Sequence, residues 1–392
     1  MTIARLIALA ALVNFCFPSM SFSADDIVTI RTNNHQLAVS SSGRIGAYQP
    51  GARMSFFSSG EDYLRDGSLV LGTSRDNLSW AIYEDSSATP TGTNPYGNLL
   101  PLTDITYDTT SSSVYRHAFG LGTNHDSSLG FTVDYYAPKA NASYYIARFA
   151  IYKGLNDPMG TVSNLTVAFA ADWDIPSTNA PANYGNYSSL RQVVYTRGGL
   201  TLPEMNRIGG IAALRDDDTE IVGGMNLPAA VYVDPLGTYQ VDSLWNRMDL
   251  VDGYDTTGTI EDLTDIVVAA RDVVIDGSAN DTFFVSFVIV GLSSSPAVGL
   301  ESTVVSAFYF ICRHIAPTCE ACICGGCGDS NSSGGLSISD AVYTVNYIFL
   351  GGNPPAKLCL GDINGDIVVN ISDVVYTIAH IFGGGPPPIC IH

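Results

Sequence analysis

The chain has 392 residues, with 18 Lys+Arg against 38 Asp+Glu and a formal charge of −20 at pH 7. Such acidity repels phosphate backbones, which argues against a nucleic-acid partner, and it favours solubility and divalent cations. Beyond the N-terminus no run of about 18 consecutive apolar residues occurs, so no membrane span is expected.

Residues 1–23 read as an export signal. Arg5 supplies the positive start, residues 6–13 the apolar core, and Ser21-Phe22-Ser23 a small-x-small cleavage site before Ala24. The protein is therefore expected to be secreted and extracellular, or held at a cell surface through a partner. About 370 further residues exceed the usual size of one core and suggest two domains.

From residue 24 to 300 there is no cysteine, and short apolar and polar residues alternate between Gly, Pro, Asn, Asp and Ser clusters. That period of two predicts half-buried strands. Residues 130–137 and 143–152 form the expected hairpin, with Phe131, Val133 and Tyr135 on one face. Further strands are expected at 27–31, 68–72, 78–83, 114–120, 162–171, 192–197, 210–215, 229–233, 266–274 and 282–290. The fold class is therefore mainly β: a large antiparallel β-sandwich over 24–300, followed by a small all-α module. Residues 301–327 are expected to form a helix, at 302–314, and a cysteine-rich linker.

The sandwich region lacks G-x-S-x-G, H-E-x-x-H and G-x-x-x-x-G-K-[ST], so the common hydrolase and nucleotide signatures are absent. Asp172-Trp173-Asp174 is its most pointed candidate. The tryptophan between the catalytic candidates Asp172 and Asp174 either stacks on a sugar ring while the acids bind hydroxyls or a cation, or packs in the core while the acids cap a turn. His117 and His125 with Asp126 form a second candidate as an acid–base pair, and Asp216-Asp217-Asp218 reads as a solvated hairpin tip. Trp80, Trp173, Trp245 and 21 tyrosines serve either strand formation or a glycan platform.

The last 65 residues carry a repeat. GDSNSSGGLSISDAVYTVNYIFLGG, starting at Gly328, aligns without gaps on GDINGDIVVNISDVVYTIAHIFGGG, starting at Gly361, with 13 of 25 positions identical. Each copy opens with a twelve-residue segment bearing oxygen side chains at positions 1, 3, 5, 9 and 12, the spacing with which an EF-hand loop wraps calcium. In the first copy these are Asp329, Asn331, Ser333, Ser337 and Asp340, with the Gly335 carbonyl at position 7. In the second they are Asp362, Asn364, Asp366, Asn370 and Asp373, with the Val368 carbonyl. Two calcium ions are expected, because calcium takes six to eight hard oxygens in a flexible shell. Ser333 replaces an acid and Ile367 replaces the usual turn glycine, so both loops are expected to bind more weakly than a full EF-hand loop.

An apolar stripe then marks a helix in each copy, with Val342, Val345 and Phe349 in one and Val375, Ile378 and Phe382 in the other. Gly351-Gly352 and Gly383-Gly384 end the helices, and proline runs follow. Two loops, each followed by a single helix and each closed by Asp in place of Glu, resemble a type I dockerin across residues 328–392. The resemblance implies docking to a cohesin-like domain through loop positions 10 and 11, here Ile338-Ser339 and Ile371-Ser372. These pairs are the same in both copies and depart from the family's Ser-Thr-like pattern. Identical pairs imply docking in either of two orientations.

Cys312, Cys319, Cys322, Cys324, Cys327, Cys359 and Cys390 crowd the C-terminal end. Export favours disulfides over a four-thiolate zinc site at 319–327, with Cys327, Cys359 and Cys390 clasping the module. The expected function is a secreted calcium-binding modular protein of a polysaccharide-directed assembly, its tail docking a cohesin-type partner. The alternatives are a polysaccharide-degrading hydrolase or lyase in the sandwich, or a structural, adhesive surface protein.

Overall fold

A computed structural model of the chain describes residues 27–389, apart from 42, 47–54, 57–61, 81–98, 101–105, 155–159, 176–182, 190–191, 200–202, 218, 229–240, 257–259, 262, 279–280, 294–296, 317–325 and 366–368. The export segment and the strand expected at 229–233 lie outside the described residues.

Two sheets stack face to face. The first, eleven-stranded among the described residues, runs through Ile27–Arg31, His35–Ser40, Arg44–Ile45, Leu64–Ser74, Val162–Trp173, Leu263–Ile275, Gly223–Pro228 and Gly253–Thr256. The second, of nine, is ordered Ile260–Glu261, Asn183–Ser188, Val193–Arg197, Ile208–Arg215, Phe283–Leu292, Tyr144–Lys153, Leu129–Pro138, Tyr115–Thr123 and Thr106–Ser111. Neighbours along these paths are antiparallel except for Gly223–Pro228 with Gly253–Thr256. The expected hairpin is present, with Phe131 opposite Ile151, Val133 opposite Phe149 and Tyr135 opposite Ala147. Its register follows from the period-2 pattern, because a slip of one residue would turn all these side chains to the wrong face.

The space between the sheets is filled by Phe131, Tyr135, Phe149, Phe169, Trp173 and Phe287, all essentially buried. Phe169 and Phe287, from opposite sheets, meet with ring centroids 5.1 Å apart. Each outer face is also covered in part. Helix α1 (Val241–Leu250) lays Leu244 and Met248 on Ala168, Ala170, Ile266 and Val268 of the first sheet. Helix α2 (Ala297–Phe310) lays Leu300, Val304 and Ala307 on Ile146, Ala212, Val288 and Val290 of the second.

Strands covered on both sides read as continuous apolar runs, as in FFVSFVIVGL of Phe283–Leu292, and this departs from the half-buried alternation expected throughout. The helix expected at 302–314 begins five residues earlier and continues into a π-helical turn, Ile311–Ile315. It is the outer layer of the sandwich as much as a link to the tail.

Beyond it, helices α3 (Ile338–Leu350) and α4 (Ile371–Gly383) pack against each other. Each starts in a capping box, Ser337 with Asp340 and Asn370 with Asp373. Each ends on a left-handed glycine, Gly351 (φ 68°) or Gly384 (φ 63°). The Tyr343 and Tyr376 hydroxyls then donate to the carbonyls of Pro354 and Pro387, tying down the segments that follow. Cys312, Cys327 and Cys359 are disulfide-bonded, which removes Cys327 from any four-thiolate zinc site. Cys319, Cys322, Cys324 and Cys390 lie outside the described residues.

Candidate metal centre

The first loop folds around its own carboxylates. Asp329 accepts the Ser333 N–H on Oδ1 at 2.8 Å and the Gly334 N–H on Oδ2 at 2.7 Å. Asn331 Oδ1 accepts that same Ser333 N–H at 2.9 Å, so the oxygens of positions 1 and 3 lie side by side. From the far end of the loop, Asp340 accepts the Asn331 N–H at 3.2 Å and the Ser337 N–H at 2.8 Å. One carboxylate thus closes the loop and caps α3. Burial pushes the Asp329 carboxyl up, but the N–H donors of Gly334, Ser333 and Gly335 and the Ser333 hydroxyl outweigh it and hold it below its ordinary value.

Asp329 and Asp340 are 7% and 1% exposed, and among the described residues no Lys, Arg or His pairs with either. Two carboxylates held in one loop repel each other when both are charged, and a cation between them would relieve that repulsion.

The second loop is built alike. Asp373 accepts the Asn364 N–H at 3.3 Å and the Asn370 N–H at 2.8 Å. The Asn364 amide donates to the Ser372 hydroxyl at 2.8 Å, just as Asn331 donates to Ser339 at 2.9 Å. Position 4 is left-handed in both loops, Ser332 at φ 56° and Gly365 at φ 72°, whereas Gly334 at position 6 adopts φ 99°. Asp362 and Asp373 are each 1% exposed. Asp366, Ile367 and Val368 lie outside the described residues. Among the described residues no three His, Cys, Asp or Glu side chains gather at one point. The loops instead mix carboxylates with amide and hydroxyl oxygens.

Next to the loops runs an exposed apolar stripe. Ile338, Val342 and Phe349 on α3 are 46%, 63% and 62% exposed, and Ile371, Val375 and Phe382 on α4 are 49%, 60% and 70% exposed. Residues at corresponding places in the two repeats thus face solvent alike, and the Ile-Ser pairs begin each stripe.

The sandwich residues are placed differently from one another. Trp173 is buried between the sheets and offers no face to a sugar ring. Asp172 is buried near Arg65 at 4.0 Å and accepts the Thr264 hydroxyl at 3.4 Å, and Asp174 is buried just past the strand end. His117 does not meet Asp126. Its Nε2 lies 2.6 Å from Asp134 on the neighbouring strand, its Nδ1 lies 3.1 Å from the Thr110 hydroxyl, and its ring stacks on Tyr136. His125 instead lies 3.3 Å from the Ser79 hydroxyl. Asp216 and Asp217, read as a solvated tip, form ion pairs with Arg148 at 2.5 Å and Arg215 at 2.6 Å.

Two residues that have no site role in the sequence reading stand out, Asp265 and Tyr309, the latter expected only on the apolar stripe of its helix. Asp265 is fully buried between the sheets, where burial pushes its carboxyl up to about 8 despite hydrogen bonds from Asn226 and Thr196. Tyr309, the penultimate residue of α2, donates to Asp362 Oδ2 at 2.8 Å. Neither carries a sequence signal, since both partnerships join segments far apart in the chain.

No protein-family model matches the chain, and no curated protein matches it. Among solved structures it is similar to the GH36 alpha-galactosidase AgaA from Geobacillus stearothermophilus, with 8% identity and a TM-score of 0.35, over 72% of this chain and 43% of that one. It is also similar to an alpha-galactosidase from Lactobacillus brevis, at 10% identity and TM-score 0.31 over 73% and 42% of the two chains. A putative aldose 1-epimerase from Escherichia coli K12 matches at 7% identity and TM-score 0.34 over 68% and 99%. The chain spans less than half the length of these galactosidases.

Proposed function

We propose that this is a secreted, calcium-binding modular protein whose C-terminal repeat docks a protein partner of the cohesin type. The observation that carries the reading is the twin exposed apolar stripe beside two loops of buried carboxylates. Asp329, Asn331, Ser333, Ser337 and Asp340 with the Gly335 carbonyl would hold one ion. Asp362, Asn364, Asp366, Asn370 and Asp373 with the Val368 carbonyl would hold the other. The donor set is oxygen alone, without nitrogen or sulfur, which suits calcium over zinc or copper. Calcium would supply a positive charge that no described Lys, Arg or His gives the acids of the first loop, and would so stabilise the folded loop. The type I dockerin resemblance of residues 328–392 supports the same reading. So do the disulfides at Cys312, Cys327 and Cys359, which suit an oxidising, extracellular setting.

The test is capture of the full chain on an immobilised cohesin domain in calcium chloride and again in chelator. Capture in calcium alone supports the reading. Capture indifferent to calcium, or a chain that binds no calcium, overturns it.

A second reading, that the sandwich acts on a polysaccharide, is favoured by one feature. His117, Asp134 and Thr110 form a hydrogen-bonded set beside Tyr136 and Tyr115 on the second sheet. An imidazole between a carboxylate and a hydroxyl can move protons, and tyrosine faces can hold sugar rings. Release of reducing ends from a polysaccharide that disappears in His117→Ala would establish it, and identical release by the variant would remove it.

A further inference from the structure

We infer that Tyr309 is a positioning residue of the second loop, so that the two loops depend differently on the sandwich. The inference rests on the calcium reading above. Tyr309 is only 8% exposed, and its hydroxyl donates at 2.8 Å to Oδ2 of Asp362, which is position 1 of that loop and 1% exposed.

The hydroxyl is held in place from outside the repeat. Tyr309 belongs to α2, whose Leu300, Val304 and Ala307 are packed on the second sheet. The next residue, Phe310, meets Tyr115 and Tyr144 of that sheet edge-on, with centroids 6.1 and 6.4 Å apart. The donor is therefore carried by a helix anchored on the sandwich.

Among the described residues the equivalent acid of the first loop has no such bond. Asp329 accepts from Ser333 and Gly334 of its own loop, and among the described residues no hydrogen bond from the sandwich or from α2 reaches it. A donor fixed on one carboxylate oxygen restrains the orientation of the group, and with it the way the group would meet an ion. Linkage makes the effect mutual: an ion in the second loop strengthens the contact between α2 and the repeat, and that contact strengthens ion binding. The first loop binds on its own account.

The experiment is calorimetric titration of calcium chloride into the chelator-treated full chain and three variants. The parent is expected to show two binding events. Tyr309→Phe keeps the ring and removes the hydroxyl, and is expected to weaken one event about tenfold while sparing the other. Asp329→Ala removes the spared event, and adding Tyr309→Phe to it then weakens the one that remains. Tyr376→Phe removes a comparable hydroxyl bond, to the Pro387 carbonyl, and is expected to change neither event. Thermal unfolding in chelator, unchanged in Tyr309→Phe, separates positioning from a general loosening. Two unchanged events in Tyr309→Phe, or two events weakened equally, overturn the inference while leaving the calcium reading intact. No binding event in the parent overturns the calcium reading itself.

Discussion

Trp173 of the first sheet lies so close to Gly209 of the second that a Cβ on Gly209 would stand 2.3 Å from the indole Cε3. The glycine is therefore the recess into which the largest buried side chain fits. Gly209→Ala is expected to cost about 1–3 kcal/mol through overpacking, read as a lower denaturation midpoint. An unchanged midpoint would mean that the indole can move aside at no cost.

Asp265 gives the sandwich a pH dependence of definite sign. Its carboxyl titrates near 8 in the folded chain against an ordinary 3.8, so the native state keeps a proton that the unfolded state loses. Stability from this group therefore falls as pH rises from about 4 to about 8. Asp265→Asn retains a neutral acceptor for Thr196 and Asn226, and is expected to raise the melting temperature at pH 8.5 more than at pH 4.5. An equal change at both values would show that Asp265 is not protonated in the fold.

In the loops, Asp340 and Asp373 each close a loop and cap a helix. Asp340→Asn and Asp373→Asn are each expected to weaken one calcium-binding event by tenfold or more, by analogy with the removal of any charged ligand. The double variant is expected to lose the calcium-induced gain in helical circular dichroism. Two intact binding events in the double variant would refute the ligand assignment.

For docking, the likeness of the two stripes predicts redundancy. Ile338→Asp or Ile371→Asp alone is expected to leave calcium-dependent capture on a cohesin domain within a few-fold of the parent. The two together are expected to abolish it. Both isoleucines are about half exposed, so the changes cost the fold little. A single change that ends capture would rule out two-way docking.

Much of this protein was legible from its residues in order. The repeat, the loop spacings, the glycine helix ends and the hairpin at 130–152 all depend on neighbours within about a dozen positions, where periodicity and capping act. What the tertiary structure alone decided involves partners brought together across the fold. Trp173 became core because Gly209 on the opposite sheet made room for it, and His117 found Asp134 on the next strand in place of Asp126 beside His125. Asp265 has its carboxyl pushed up because the second sheet shuts it away from water, and Tyr309 reached Asp362 across 53 residues because α2 lies on the sandwich and ends against the repeat. Local chemistry is written in spacing, whereas burial and through-space pairing are set by which surfaces meet once hydrophobic faces close on one another.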